Sequence, residues 1–525
     1  MRTHDTPTWC DRRVNTVSIR SEVEALRKAA KQLLDDAHAS MVDAMAAFST
    51  ESGTLESLDN DVWKLTLAYG RASIAFAATQ ALPTAVSPTI RVGRDWYAYE
   101  CVHPDVFRTR CGVLRVARPL YRLVSGLGPS TVSPFDRALG LGAGRMSLAF
   151  QSISLLLATM LPFQLAKDVQ QTVAGYSPST KSMLGMVDLW GPDAARFLET
   201  QEAPDDDGEI LMIQIDGKGA PMMGFTEHAK RCRPHEKRPR GLTRGQRRRH
   251  RLHRRGIERR DKGKKSKNAK NATMLVVYTL RRHEDGTMEG PINKRLIAGF
   301  CSPKALVKRA MPAVRARGYG EKETYFISDG APCLHKVHEK FFPKAAACLD
   351  WYHMCEYLWI AGGTMYAKSP EDLSNWVEAR KAELRLGHVD DALAAIAELE
   401  AELPGTGPGT KGRRERMAKA RKYLVKRRHL LCYQRFLAAG VDIGSGAVEG
   451  AAKYAVGARF DGPGMYWGRE RSEQLLQLRA VFVNGDWEEF YKYVVSERQK
   501  NNSPIVPRIT PNKTQTPYQA KSKVA

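Results

Sequence analysis

The sequence predicts an α/β protein, a mixed sheet with interleaved helices and a helical insertion, preceded by a mainly helical N-terminal region. Three observations carry this. Between residues 203 and 361 short apolar runs alternate with helical periods, the layer pattern of a sheet covered by helices. Several of those runs stop at an aspartate. The first 90 residues instead repeat apolar side chains at helical spacing, as in Val23, Leu26, Ala30, Leu33 and Leu34.

Residues 1–90 therefore read as a helical N-terminal region. Residues 91–202 begin with a small β element, in which Arg91-Val-Gly, Trp96-Tyr-Ala-Tyr and Gly112-Val-Leu-Arg-Val alternate as short strands, and then return to helical period. Phe163 to Ala174 and Lys181 to Leu189, joined by Gly175-Tyr-Ser-Pro-Ser-Thr180, fit either a helix-turn-helix that reads a DNA groove or an ordinary helical hairpin. Residues 203 to 208, Ala-Pro-Asp-Asp-Asp-Gly, read as a linker.

Glu209 to Ile215 is an apolar run closed by Asp216-Gly217, the pattern of a strand buried on both faces. At period two, Asp216 points opposite Leu211, Ile213 and Ile215. Ala272 to Arg281 and Lys294 to Phe300 are the next strands. A helix over Pro303 to Arg317 leads to the strand Glu323 to Ser328, stopped by Asp329-Gly330. A short helix near Leu334 to Lys340 precedes the strand Lys344 to Leu349, closed by Asp350. Aspartates thus end the first, fourth and fifth strands, where ligands of open α/β sheets collect. A single Asp-Gly is an ordinary turn signal. Three such aspartates after buried strands point to a site.

These strands form the core region 203–361, and residues 362–440 read as a helical insertion subdomain. Ser369-Pro-Glu-Asp372 starts a helix, Leu386-Gly387 stops it, and Pro404-Gly-Thr-Gly-Pro-Gly409 is a hinge loop. Its last helix, Lys411 to Leu437, is basic on more than one face. Within 441–500, Ser445 is placed to cap a helix that carries Glu449 one turn in. The plain alternative for Glu449 is a surface pair with Lys453. Asp486-Trp-Glu-Glu489 starts a further helix, and 501–525, with four prolines, reads as a disordered tail.

The charge is uneven. Lys plus Arg number 82 against 57 for Asp plus Glu, a net charge of +25 over 525 residues. Residues 228–270 hold 20 basic and 3 acidic side chains, residues 411–430 hold 10 and 1, and everything else is near neutral at 52 and 53. Two basic tracks beside a set of aspartates favour a polyphosphate partner. The longest apolar stretch, Met146 to Leu161, is interrupted by Gln151, Ser152, Ser154 and Thr159, so no transmembrane helix is expected. The first residues show no secretory signal, and nine scattered cysteines without a C-x-x-C pair argue for reduced thiols. A cytoplasmic protein follows, with no membrane partner.

The series Ile215-Asp-Gly-Lys, Ile327-Ser-Asp-Gly-Ala-Pro, Leu349-Asp-Trp-Tyr-His353 and Gly444-Ser-Gly-Ala-Val-Glu-Gly resembles the DDE transposases of bacterial insertion sequences, in particular the ISKra group, related in style to Mutator-like elements. The likeness covers residues 205 to 495 and is loose over the first 200. It implies a ribonuclease H-like fold, with Asp216, Asp329 and Glu449 as the catalytic and metal-binding triad. Asp350 and His353 match the family's (Cys or Asp)-x-x-His motif, an accessory pair. Asp350, which also ends a strand, remains an alternative second catalytic acid.

The resemblance implies two Mg²⁺ (or Mn²⁺) ions, cleavage of phosphodiester bonds at element ends and strand transfer into target DNA. It also implies double-stranded DNA as partner, a homo-oligomer on paired ends and association with the nucleoid. The candidate phosphate contacts are Arg247, Arg248, Arg249, Arg251, Arg254, Arg255, Arg259 and Arg260 in the first track, and Lys422, Lys426, Arg427 and Arg428 in the second. The alternatives are a ribonuclease H-like nuclease without strand transfer, and a non-catalytic nucleic-acid-binding protein. A competing metal reading takes Cys333, His335, His338, Cys348, His353 and Cys355 as zinc ligands. Met465-Tyr-Trp-Gly-Arg469 offers rings for stacking on bases, or for the core.

Overall fold

The computed structural model describes residues 16–51, 53–141, 145–223, 269–462, 465, 467–500 and the short strand Val506–Pro507. The chain folds as two compact units. One comprises residues 1–158, 163–183 and 491–525, and the other 159–162 and 184–490.

In the first unit β1 (Val17–Ser18) precedes two long helices, Arg20–Ala46 and Leu55–Gln80, which pack on each other. After them come β2 (Ala85–Val86), β3 (Thr89–Val92), β4 (Asp95–Thr109), β5 (Gly112–Ser125) and β6 (Thr131–Val132). The β element is larger than the sequence suggests: β4 and β5 are 15 and 14 residues long and pair antiparallel along their whole length. Val23, Ala75, Ile90, Tyr97, Phe107 and Val116 form its core. Inside this unit Arg118, 1% exposed, holds Asp105 at 2.8 Å and Asp136 at 2.5 Å. The helix Phe163–Ala174 of this unit is followed by Thr180–Glu199, which runs through Pro192 for 20 residues and from residue 184 on belongs to the second unit. That second helix is longer than the 181–189 segment expected and buries Met183, Met186, Val187, Trp190, Ala194 and Phe197 along one stripe.

The second unit is a mixed α/β layer. Its five strands are β7 (Ile210–Pro221), β8 (Ala269–Arg282), β9 (Met288–Gly299), β10 (Glu323–Ser328) and β11 (Ala346–Leu349), in spatial order β11-β10-β7-β8-β9. The first three pair antiparallel; β10 and β11 run parallel to β7. Leu211, Ile213 and Ile215 face one side and pack with Leu306, Val307, Val314 and Phe326 under the helices Pro303–Ala316 and Pro332–Phe341. Period two then turns Gln214 and Asp216 to the opposite face.

Three expectations need correction. Asp216 does not end its strand: β7 continues to Pro221, paired with β8 alone, beyond the point where β10 stops. The 203–208 stretch is no free linker, because Asp207 is tied down. Its carboxylate accepts from Arg317 Nη2 at 2.6 Å, Thr279 Oγ1 at 2.5 Å and Lys322 Nζ at 3.2 Å, and Arg317 is buried. The insertion comprises the helices Pro370–Leu386, Val389–Ala401, Thr410–Lys426 and Tyr433–Ala438. The long basic helix is thus two helices, broken by a 3₁₀ turn at Arg428–Leu430. Among the described residues no helix is long and apolar enough to cross a membrane.

Burial alone would raise the Asp207 carboxyl, but the donors from Arg317, Thr279 and Lys322 outweigh it and hold its pKa down at about 2. A depressed carboxyl contributes stability in full above its unfolded pKa of about 4, and that contribution fades as the pH falls toward about 2. Asp207→Asn leaves the Arg317 guanidinium buried without its counter-charge. The expected cost is about 3 kcal/mol in urea unfolding at pH 7, with a shallower loss of stability between pH 5 and pH 2 than in the unaltered protein.

Candidate functional site

The parallel register builds the site. Ile215 on β7 lies opposite Ser328 on β10, which lies opposite Leu349 on β11. The next residue of each strand is Asp216, Asp329 and Asp350, so three aspartates follow one register line across neighbouring strands about 4.8 Å apart. The Asp350 N–H donates to the Ser328 carbonyl at 2.8 Å and keeps the line tight past the last ladder pair.

Glu449 arrives from the far end of the chain on the short helix Gly446–Ala451, which continues as a π-helical turn, Ala452–Gly457. Two anchors hold this helix on the sheet. The Gln214 carboxamide, 1% exposed, accepts from the Val448 N–H at 3.0 Å and donates to the Gly444 carbonyl at 3.1 Å and to Tyr278 Oη at 3.0 Å. The Asp350 carboxylate accepts from the Ser445 N–H at 2.6 Å. Ser445 does not cap the helix as expected; its hydroxyl donates to Glu449 Oε1 at 3.1 Å and orients that carboxylate. The Lys453 ammonium stands 3.9 Å from Glu449 Oε2, so the surface pair exists beside this contact as a looser one. Buried Arg479 donates to the Ala455 carbonyl at 2.8 Å and to the Tyr454 carbonyl, satisfying main-chain acceptors of the widened turn, and also to the Thr159 carbonyl.

Burial raises the Asp216 carboxyl above the ordinary range; the nearby Asp329 and Glu449 charges raise it further, while the Gly217 N–H and the His353 charge oppose this. Asp350 behaves differently. Burial would raise it, yet donors from the His353 ring and main chain and from Ser445 hold it below the usual carboxylate value. The His353 ring, hydrogen-bonded through Nδ1 to Asp350 Oδ2 at 2.7 Å, is pushed up to about 9 and carries a positive charge at neutral pH.

Asp350, His353 and Glu449 each offer one ligand atom within 4.8 Å of the others, close enough to share a cation. The Asp216, Asp329 and Glu449 combination does not meet that limit among the described residues. Both oxygens of fully buried Asp350 already accept N–H donors, and Nδ1 of His353 is taken by Asp350. Asp216 and Asp329 are only half-buried, and each receives a local main-chain N–H, from Gly217 at 2.6 Å and Ala331 at 2.8 Å.

Among the described residues the six zinc candidates form no shared ligand group of their own. His338 Nε2 sits 2.9 Å from the Ala345 carbonyl, His353 is held by Asp350, and the buried Cys348 thiol donates to the Leu349 carbonyl at 3.4 Å. Trp467 belongs to the core, 7% exposed, with its Nε1–H donating to the Phe460 carbonyl at 3.0 Å; Tyr466 lies outside the described residues.

Of the basic candidates, Lys422 and Lys426 are exposed on the insertion helix Thr410–Lys426. Arg428 pairs with Asp390 at 2.6 Å, and Arg427 turns inward. Arg247, Arg248, Arg249, Arg251, Arg254, Arg255, Arg259 and Arg260 lie outside the described residues. Sequence reasoning overlooked Gln214, although a buried amide two residues before Asp216, on the same face, was a readable signal. Comparison with protein-family models finds no match, and comparison with curated protein sequences finds none.

Gln214→Leu keeps the volume but strands the Val448 N–H and the Gly444 carbonyl in a buried place. The expected result is a loss of about 2 kcal/mol in urea unfolding, together with weaker Mn²⁺ binding by the full chain in EPR titration.

Proposed function

We propose that this chain is a metal-dependent DNA transposase of the DDE type, built on a ribonuclease H-like sheet. The single observation that carries the reading is the shared register of Asp216, Asp329 and Asp350 at neighbouring strands, with Glu449 delivered over the same face. The strand order β11-β10-β7-β8-β9, three antiparallel strands followed by two parallel ones on the other side of β7, supports the ribonuclease H-like assignment.

The donor set fits Mg²⁺ or Mn²⁺. Asp216, Asp329 and Glu449 supply hard carboxylate oxygens at a half-open position, as such ions prefer. Bound there, the metal supplies Lewis-acid activation of the attacking oxygen and charge stabilisation of the leaving one.

The chain's own groups do the rest. Ser445 fixes the Glu449 carboxylate. His353, charged and oriented by Asp350, faces the carboxylates with a cationic edge suited to a phosphate oxygen. Asp350 acts behind it as an orienting carboxylate, which supports Asp329 over Asp350 as the second metal ligand. Lys422 and Lys426 hold the DNA backbone without reading bases. Cleavage at an element end and transfer into target DNA use one site with two nucleophiles, water and a 3′-hydroxyl.

Asp216→Asn, Asp329→Asn and Glu449→Gln are each expected to lower Mg²⁺-dependent nicking of plasmid DNA by more than about 100-fold while DNA affinity stays within about twofold. A variant that still cuts at the normal rate overturns the assignment of that residue. Joining of a cleaved 3′ end to a second duplex separates a transposase from a nuclease that only cuts.

A further inference from the structure

The turn that carries Asp329 is held from outside the sheet. The strand ladder stops at Ser328, so the carbonyls of Asp329 and Gly330 need other donors. Both donors come from the insertion helix Thr410–Lys426 and the residue that follows it. Tyr423 Oη donates to the Asp329 carbonyl at 2.6 Å, and Arg427 Nε donates to the Gly330 carbonyl at 2.8 Å. Arg427 Nη1 returns to the Tyr423 carbonyl at 3.1 Å, closing a ring of contacts.

Three planar groups stack behind these bonds. The Arg427 guanidinium lies 3.7 Å from the centroid of the Tyr423 ring, and Tyr423 lies 3.6 Å from Tyr357 at 10°, nearly face to face. Tyr357 belongs to the helix Trp351–Gly362, one turn beyond His353. One stack therefore touches the Asp329 turn, the helix of His353 and the insertion. Space at the turn is closed as well. Gly330 has φ +66, and a Cβ there would meet Arg427 Nε at 2.6 Å and Leu349 Cδ1 at 2.8 Å.

The same helix presents Arg416, Lys419, Lys422 and Lys426 to solvent at steps of three, three and four residues, a continuous basic stripe. Arg427, which among the described candidate phosphate contacts is the one that turns inward, sits at its end.

We infer that Tyr423 and Arg427 are positioning residues that lock the phosphate-binding helix to the main chain of Asp329 and Gly330, so that DNA held on the stripe and the metal-binding carboxylate keep one register. This rests on the proposed function for its substrate, but the mechanical coupling has a readout of its own. Arg427 serves the site through the Gly330 carbonyl, in place of a phosphate contact.

The test uses the full chain with Tyr423→Phe, Arg427→Met and, for contrast, Lys422→Ala combined with Lys426→Ala. Three quantities are read: Mn²⁺ affinity by EPR, affinity for a labelled 30-base-pair duplex across salt by anisotropy, and the Mg²⁺-dependent nicking rate at saturating DNA. Tyr423→Phe and Arg427→Met are expected to weaken Mn²⁺ binding about fivefold or more and to lower the saturated rate about tenfold, leaving duplex affinity and its salt slope within error. The double lysine variant is expected to flatten the salt slope by about two phosphate contacts. If Arg427→Met flattens the slope by about one contact with Mn²⁺ affinity intact, Arg427 binds phosphate and the inference is overturned. Unchanged Mn²⁺ affinity in Tyr423→Phe, which deletes one oxygen and keeps the stack, overturns it too, even if Arg427→Met fails to fold. Absence of nicking by the unaltered chain counts against the proposed function alone, because the Mn²⁺ comparison still decides the coupling.

Discussion

The site depends on one buried amide. Gln214 hydrogen-bonds across 230 residues to Gly444 and across 234 to Val448, and by doing so sets the helix of Glu449 on the face of β7 that shows Asp216. Strand register already gathers the three aspartates, and this anchor adds Glu449 to them. The amide cannot exchange these partners for water, since it is buried, so each bond it makes is costly to lose. Asp350 is the second anchor and works the same way, through the Ser445 N–H.

Gathering carboxylates at the edge of a core is unfavourable in itself, and the fold offsets it in three ways. Main-chain N–H groups of Gly217 and Ala331 take up part of the charge of Asp216 and Asp329. His353 contributes a positive charge held in place by Asp350, and Lys453 stands beside Glu449. The Asp216 carboxyl is still raised, first by its burial and then by the Asp329 and Glu449 charges. Perturbed carboxyls of this kind cluster at functional sites.

Much of this was legible in the residues, for a physical reason. Strands buried on both faces write themselves as apolar runs, so β7, β8, β10 and β11 were visible, and Asp329 and Asp350 marked the stops of the last two. Gly387, in the left-handed region at φ +85, marked a helix end equally well. Pairing was less legible. Nothing in Asp216-Gly217 says that β7 goes on to Pro221, because only the absence of a parallel neighbour distinguishes that stretch. Asp207 read as part of a polar linker, since its partners Thr279, Arg317 and Lys322 are 72 to 115 residues away. The role of Arg427 was hidden by composition: in a run of cations, the one that turns inward looks like the rest.

The most direct test of the central claim is the anomalous difference density from a crystal of the full chain soaked in Mn²⁺. The expected result is a peak bounded by the carboxylates of Asp216, Asp329 and Glu449, with Asp350 still bonded to His353 and Ser445. A peak held by Asp350 and His353 instead, or well-ordered carboxylates with no manganese at saturating concentration, would contradict it.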